Sequence, residues 1–353
     1  DYTLVGATSD EAKRPVGRTI ELPTMGGTAR FLPVVGMDGR GARQRLPLTV
    51  RFQWALWRAM RGAGFSDLDI LDFHRVEPLL LFRNDARSKN VVLHQDMSVV
   101  RDPNADIMWR HAPAAYEHLE RRLLRQATRV FCVRQSAVDR YRSAYPEIRD
   151  RIQFIPTWVD TQVFRPDGPG LEADASVAQR RSVPSLPAAA RIATFVGRLD
   201  RQKDPILLLA AFERARRSAP DLHLVIIGDG VLRPDVEREL SSRALGAHVS
   251  LIGALPAHEI ADWLRRSELF VLSSAYEGMP IAVLEALACG VPVATTDVGE
   301  VRRVVRDGLT GRVAANRDPE SLASAMLKVL EDRASPASSE RCVESVAPYT
   351  PQK

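Results

Sequence analysis

RIATFVGRLDRQKDPILLLAAFERARRSAPDLHLVIIG, residues 191–228, decides the architecture of the second half of the chain. RIATFVG (191–197) is a short apolar run ending in glycine, and LHLVIIG (222–228) repeats that form. Neither alternates strictly between apolar and polar residues, so each reads as a strand buried on both faces. PILLLAAFERARR (205–217) lies between them with helical length and spacing; Asp204 is placed to cap it and Pro205 suits its first position. Strand, helix, strand is the repeating unit of a parallel sheet covered by helices.

The alternation continues downstream. A helical stretch near 234–245 precedes the strand VSLIG (249–253), and a helix near 257–266 precedes LFVLSS (269–274). A helix entered at Pro280 and running from Ile281 to Ala288 follows, then the strand VPVATT (291–296) and the helix SLASAMLKVLED (321–332). Upstream the pattern is looser. Strands are expected at LDILDF (68–73), NVVLH (90–94), TRVFCV (128–133) and RIQFI (151–155), with helices at 48–60 and 114–127. YTLVG near the start also reads as a strand, whereas Gly26-Gly27 follows no clear one. A stretch rich in Pro, Ala and Ser, without a long apolar run, separates the halves as a linker does. The expected organisation is an α/β domain over 1–165, a linker over 166–190 and a second α/β domain over 191–353.

The composition is that of an ordinary globular chain, 45% hydrophobic and 26% charged, and 353 residues suffice for two cores. No apolar run has membrane-spanning length, and the first residues lack the basic flank and apolar core of a signal peptide. Cys132, Cys289 and Cys342 are widely spaced, which suggests neither a disulfide framework nor a metal site and points to a reducing cytoplasm. A net charge of +5 suits an anionic partner, but no nucleic-acid-binding motif accompanies it.

Sites in such sheets lie at the carboxyl ends of strands. After the strand ending at Gly197, Arg198 and Lys203 flank a helix N-terminus, an arrangement suited to a diphosphate or simply a solvated turn. VIIGDGVLR (225–233) offers Gly228 and Gly230 for close backbone approach, but Arg233 stands where a dinucleotide fingerprint wants a small residue. YEGMPIAVLEALACGVP (276–292) carries Glu277 on a loop, Gly278-Met279-Pro280 at a helix mouth and Glu285 inside an otherwise apolar helix closed by Gly290. Side chains tilt toward a helix's N-terminus, so Glu285 can lean toward Glu277, or can be a half-exposed helix residue. Asp67-Leu68-Asp69 spells D-x-D but precedes its strand, and reads as a helix-to-strand turn.

Taken together, GRLDRQKDP, IGDG, SSAYEGMPIAVLEALACGVPVATTDVG and DGLTG resemble the nucleotide-binding domain of retaining GT-B glycosyltransferases, specifically glycosyltransferase family 4. The resemblance is strong over 190–330. VVLHQD, LERRLLRQATRVFCVRQSAVDRY and RIQFIPTWVDTQVF resemble the family's acceptor-side domain more weakly. It implies the GT-B architecture, two Rossmann-like doubly wound parallel-sheet domains facing across a cleft. It implies transfer of a sugar from a UDP- or GDP-linked donor to a hydroxyl acceptor, glycan or lipid-linked, with no metal and no cofactor. Carried over by residue, Arg198 and Lys203 match the pair holding the donor diphosphate, beside the backbone of Gly197, Gly228 and Gly230. Glu285 matches the glutamate on the ribose hydroxyls, Glu277 the one at the reaction centre, and His94 the histidine facing the donor sugar.

The chain departs from the family pattern in places. DVGEVRRVV has Arg303 where the family has a glutamate, and the family's first strand and C-terminal crossover helix are not evident. The helix 114–127 carries Arg121, Arg122 and Arg125 with Leu119, Leu123 and Leu124, and Arg129 follows; this suits docking on an anionic membrane or an ordinary basic face with its leucines in the core. Two other functions compete: a non-catalytic nucleotide-sugar-binding or scaffold protein, and a dinucleotide-dependent oxidoreductase.

Overall fold

The computed structural model describes residues 3–8, 13–24, 27–36, 48–60, 69–94, 108–166, 190–332 and 337–350. The chain divides into two compact units, the first made of Asp1–Leu93, Ala115–Phe131 and Tyr141–Gln153, the second of His94–Ala114, Cys132–Arg140 and Phe154–Lys353.

Two sheets belong to the N-terminal half. β1 (Thr3–Thr8), β2 (Ile20–Thr24) and β3 (Gly27–Gly36) form one in the order β1-β3-β2, β1 parallel to β3 and β2 antiparallel to it. β4 (Ile70–Phe73), β5 (Ser88–Leu93), β6 (Arg129–Cys132) and β7 (Ile152–Phe154) form the other in sequence order. The strands expected near 68–73, 90–94, 128–133 and 151–155 are thus present, and α1 (Leu48–Met60) spans the expected residues. β2 and β3 were not expected. In β3, Arg30 and Pro33 interrupt the apolar residues, yet Ala29, Phe31, Val34 and Val35 are buried. Gly27 opens β3 three residues after the end of β2, so a strand that the sequence did not announce precedes it.

The basic helix α2 (Pro113–Leu124) turns Leu123 and Leu124 into the core. Arg121 and Arg125 both bond Glu147 at 2.8 Å. Leu123 and Leu124 therefore serve packing, while Leu119 is half-buried. Glu120, on the buried side, accepts hydrogen bonds from Tyr141 and Tyr145 at 2.9 and 3.1 Å, so this core carboxylate is satisfied. Both tyrosines lie on or just past α3 (Gln135–Ala144), whose polar sequence hid its helical face of Ala137, Val138 and Tyr141. Of the D-x-D triplet, Asp67 and Leu68 lie outside the described residues, and Asp69 immediately precedes β4.

The second unit holds a six-stranded sheet, β10-β9-β8-β11-β12-β13, with every neighbouring pair parallel. Its strands are β8 (Arg191–Val196), β9 (Leu222–Ile227), β10 (Val249–Gly253), β11 (Leu269–Leu272), β12 (Val293–Thr295) and β13 (Gly311–Val313). The helices are α4 (Pro205–Ser218), α5 (Arg233–Ser242), α6 (Ala257–Arg265), α7 (Ile281–Ala288), α8 (Pro319–Asp332) and α9 (Ala337–Ser345). Two cores flank the sheet. Along β8, Ile192 and Val196 join the core containing α6 and α7, while Ala193 and Phe195 join the one containing α4 and α8. Both faces being covered explains why these strands read as unbroken apolar runs. α9 was not expected; it buries Cys342, and beyond it the Tyr349 carbonyl accepts from Val159 N–H at 2.9 Å.

The order of this sheet reverses between β8 and β11. A doubly wound sheet opens a crevice at the carboxyl ends of the two strands flanking such a reversal. The loops after β8 and β11 are those carrying Arg198, Lys203 and Glu277.

Candidate active site

The loop after β8 is shaped by its own side chains. Asp200 accepts from Lys203 N–H at 3.0 Å and pairs with Arg198 at 3.1 Å. Asp204 adopts a left-handed conformation, φ 45°, and accepts from Leu207 N–H at 3.1 Å, with Pro205 opening α4 behind it. Asp204 also pairs with Arg317. The N-terminus of α4, expected to face a diphosphate, is therefore already occupied by a carboxylate. α7, like α5 and α6, starts without a side-chain cap, Pro280 standing at that position in extended conformation.

Main chain forms the wall beside this loop. Gly197 N–H donates to Ile227 O at 3.0 Å and Leu199 N–H to Asp229 O at 2.9 Å. At Gly228, φ 137°, a Cβ would lie 1.9 Å from the Gly197 carbonyl oxygen, and at Gly230 one would lie 2.4 Å from that of Leu199. Only glycine permits this crossing.

Lys203 and Glu277 meet across the sheet's point of reversal. Lys203 Nζ lies 2.6 Å from Glu277 Oε1, with side-chain exposures of 15% and 8%. Ser274 Oγ donates to the same oxygen at 2.8 Å. Gln202 Nε2 approaches Glu277 Oε2 at 3.3 Å and the Tyr276 carbonyl at 3.2 Å. Ser273 Oγ donates to the Lys203 carbonyl at 2.7 Å and Ala275 N–H to the Gln202 carbonyl at 2.7 Å, which locks the two loops together. Arg198, by contrast, is 71% exposed.

Glu285 sits half-buried on α7, and among the described residues no hydrogen bond or ion pair engages its carboxylate. Burial pushes its carboxyl up to about 7, opposed by the positive charge of Lys203. Lys203 thus pairs with Glu277 and acts electrostatically on Glu285. Met279 turns its side chain into the core, so only its backbone can serve a ligand. A Cβ at Gly278 would lie 3.2 Å from the His94 carbonyl oxygen, so His94, exposed just after β5, belongs to this neighbourhood.

Three contributors were not anticipated. Gln202 and Ser274 each adjoin an expected residue or strand end, and position alone was their signal. Gly299 is the third: at φ 57°, a Cβ there would lie 1.9 Å from the Gly278 carbonyl oxygen. The next residue, Glu300, donates its N–H to that carbonyl at 2.9 Å and binds Ser136 Oγ at 3.0 Å and Arg303. Arg303, standing where a glutamate was expected, is thus matched by an acid one turn earlier. Among the described residues no group of three or more His, Cys, Asp or Glu is disposed to hold a metal ion, and no helix is long and apolar enough to cross a membrane.

Comparison with known proteins bears on family and fold. The family model described as Glycosyltransferase Family 4 matches residues 9–163, and that described as Glycosyl transferases group 1 matches 178–346. The chain belongs to glycosyltransferase family 4. Among members of the family it is 32% identical over 192 residues to D-inositol 3-phosphate glycosyltransferase of Thermobispora bispora, covering 52% of this chain and 43% of that protein. It is 28% identical over 335 residues to alpha-D-kanosaminyltransferase of Streptomyces kanamyceticus, covering 92% and 84%. The chain spans about half the length of several curated relatives that it matches, such as that of T. bispora at 43%. Among solved structures, sucrose-phosphate synthase from Thermosynechococcus elongatus superposes with a TM-score of 0.75 at 18% identity, covering 98% of this chain and 84% of that one. HepE of Anabaena, in complex with UDP and glucose, gives 0.66 at 15%, covering 90% and 82%. These likenesses establish a common GT-B fold of two parallel-sheet α/β domains.

Proposed function

We propose that this family member is a retaining, metal-independent glycosyltransferase that moves a sugar from a nucleotide-diphosphate sugar to a hydroxyl acceptor. The observation that carries the reading is the convergence of Lys203, Glu277 and Glu285 where the sheet order reverses, with Lys203 bound to Glu277 at 2.6 Å. The names of the relatives, a D-inositol 3-phosphate glycosyltransferase and an alpha-D-kanosaminyltransferase among them, share sugar transfer and differ in sugar and acceptor. HepE was solved with UDP and glucose, which supports a nucleotide-sugar partner.

The chemistry follows from charge. As the bond between the anomeric carbon and the diphosphate oxygen breaks, negative charge grows on that oxygen, and fixed positive groups aimed at it lower the barrier. Lys203, Arg198 and the uncapped start of α7 supply that field. Glu285 accepts the ribose hydroxyls, and Glu277 orients hydroxyls of the transferred sugar. The acceptor oxygen bonds the anomeric carbon on the same face, and its proton passes to the leaving phosphate oxygen. His94 lines the sugar from the neighbouring segment.

The test is a panel of UDP- and GDP-linked sugars, scored for binding and for donor hydrolysis. Glu277→Gln should lower turnover at least about 100-fold with nucleotide affinity nearly kept, whereas Glu285→Ala should chiefly weaken nucleotide binding. Equal losses of both properties in both variants would refute the division of roles. Binding without turnover would leave a nucleotide-sugar-binding protein, and preference for NAD would leave an oxidoreductase.

A further inference from the structure

We propose that Gln202 is a positioning residue for the reaction assigned above, on which this inference rests: its carboxamide holds the Glu277 carboxylate and the Arg198 guanidinium in one frame. Its contacts fix the orientation of the amide. Nε2 faces two acceptors, the Tyr276 carbonyl at 3.2 Å and Glu277 Oε2 at 3.3 Å. Oε1 faces a donor, Arg198 Nη2, at 3.4 Å. Flipping the amide would set an oxygen against two oxygens and an NH2 against a guanidinium.

The need for such a residue follows from how Glu277 is held. The last torsion of a glutamate is soft, so its carboxylate plane must be fixed from outside. Lys203 and Ser274 both hold Oε1, and Gln202 is the side chain holding Oε2. When a diphosphate arrives, it draws the Lys203 ammonium toward itself and weakens the grip on Oε1. Ser274 and Gln202 then hold the carboxylate, one at each oxygen. Because Gln202 also accepts from Arg198, movement of the guanidinium toward phosphate is felt at Glu277. The present distances are long for hydrogen bonds, and contacts of this kind shorten when substrate closes a site.

Gln202→Leu removes both the donor and the acceptor, and Gln202→Glu keeps the shape but sets a second carboxylate against Glu277. The assay is hydrolysis of whichever UDP- or GDP-linked sugar the wild type turns over, with donor affinity and urea stability measured for each variant. Both variants should lower kcat about 10- to 100-fold, the range of a hydrogen bond to a charged group, with donor affinity within about twofold of wild type. Combined with Glu277→Gln, Gln202→Leu should cost little more than Glu277→Gln alone, because the frame has nothing left to hold. A spacer role predicts instead that Gln202→Glu is tolerated and that the two losses multiply, and either result overturns the proposal. An active wild type with unaffected Gln202 variants refutes this inference alone. A wild type that neither binds nor hydrolyses any donor removes the functional reading as well.

Discussion

Replacing Glu285 with glutamine tests how a buried acid is used in this site. Its carboxyl is raised from 4.5 to about 7, chiefly by burial, with the Lys203 charge opposing. Below about pH 4.5 the proton is bound in both folded and unfolded chains. Between there and about pH 7 the folded protein keeps a proton that the unfolded chain has released. Stability therefore falls as pH rises through this window and levels off above it. At about 1.4 kcal/mol per pH unit the full fall is roughly 3 kcal/mol, an upper bound because the side chain is not wholly buried. Glu285→Gln should abolish this component, so the variant gains on the wild type from pH 5 to about pH 7, and the gain levels off toward pH 8. Urea midpoints of both proteins across that range isolate it, since every other titratable group is common to the two. The donor should respond in the opposite sense. The ionised carboxylate is the form that accepts two ribose hydroxyls, and about a tenth of it is ionised at pH 6 against nine tenths at pH 8, so affinity should rise about tenfold. A nucleotide-diphosphate sugar does not itself titrate there. Parallel stability curves for wild type and variant, or a donor affinity flat between pH 6 and 8, would refute the reasoning.

Two further substitutions probe the frame and the rim. Gly299→Ala places a methyl 1.9 Å from the Gly278 carbonyl oxygen at φ 57°, so the loop carrying Glu277 must move; a loss of about 2–4 kcal/mol in urea unfolding and loss of turnover are expected. Arg198→Ala, at a side chain 71% exposed, should leave stability within about 0.5 kcal/mol while weakening nucleoside-diphosphate binding several-fold by calorimetry.

What could be read in advance was what is local. The Asp204 cap and Pro205 start of α4 depend on adjacent residues, and the unbroken apolar runs of β8, β9 and β11 announce a sheet covered on both faces. β3 escaped because Arg30 and Pro33 break its apolar run, and α3 because its buried face is only Ala137, Val138 and Tyr141 among polar residues. The pairing of Lys203 with Glu277 joins positions 74 apart and exists because β8 and β11 are neighbours in the sheet, an order that no local pattern encodes. Gln202 escaped for the same reason: its partners come from the far loop. Conversely, the Asp204 cap was legible in adjacent residues, but its ion pair with Arg317, 113 positions away, was not.

The glycine-lined crossing of the β8 and β9 loops carries a lesson for redesign. Where Gly228 meets the Gly197 carbonyl and Gly230 that of Leu199, peptide packs on peptide, with no room for a β-carbon at Gly228 or Gly230. Randomising those positions would search almost entirely among misfolded chains. The neighbouring Val231, 81% exposed at the tip of the same loop, has no such constraint. A library meant to alter which donor the site accepts should vary Val231 and leave the peptide wall intact.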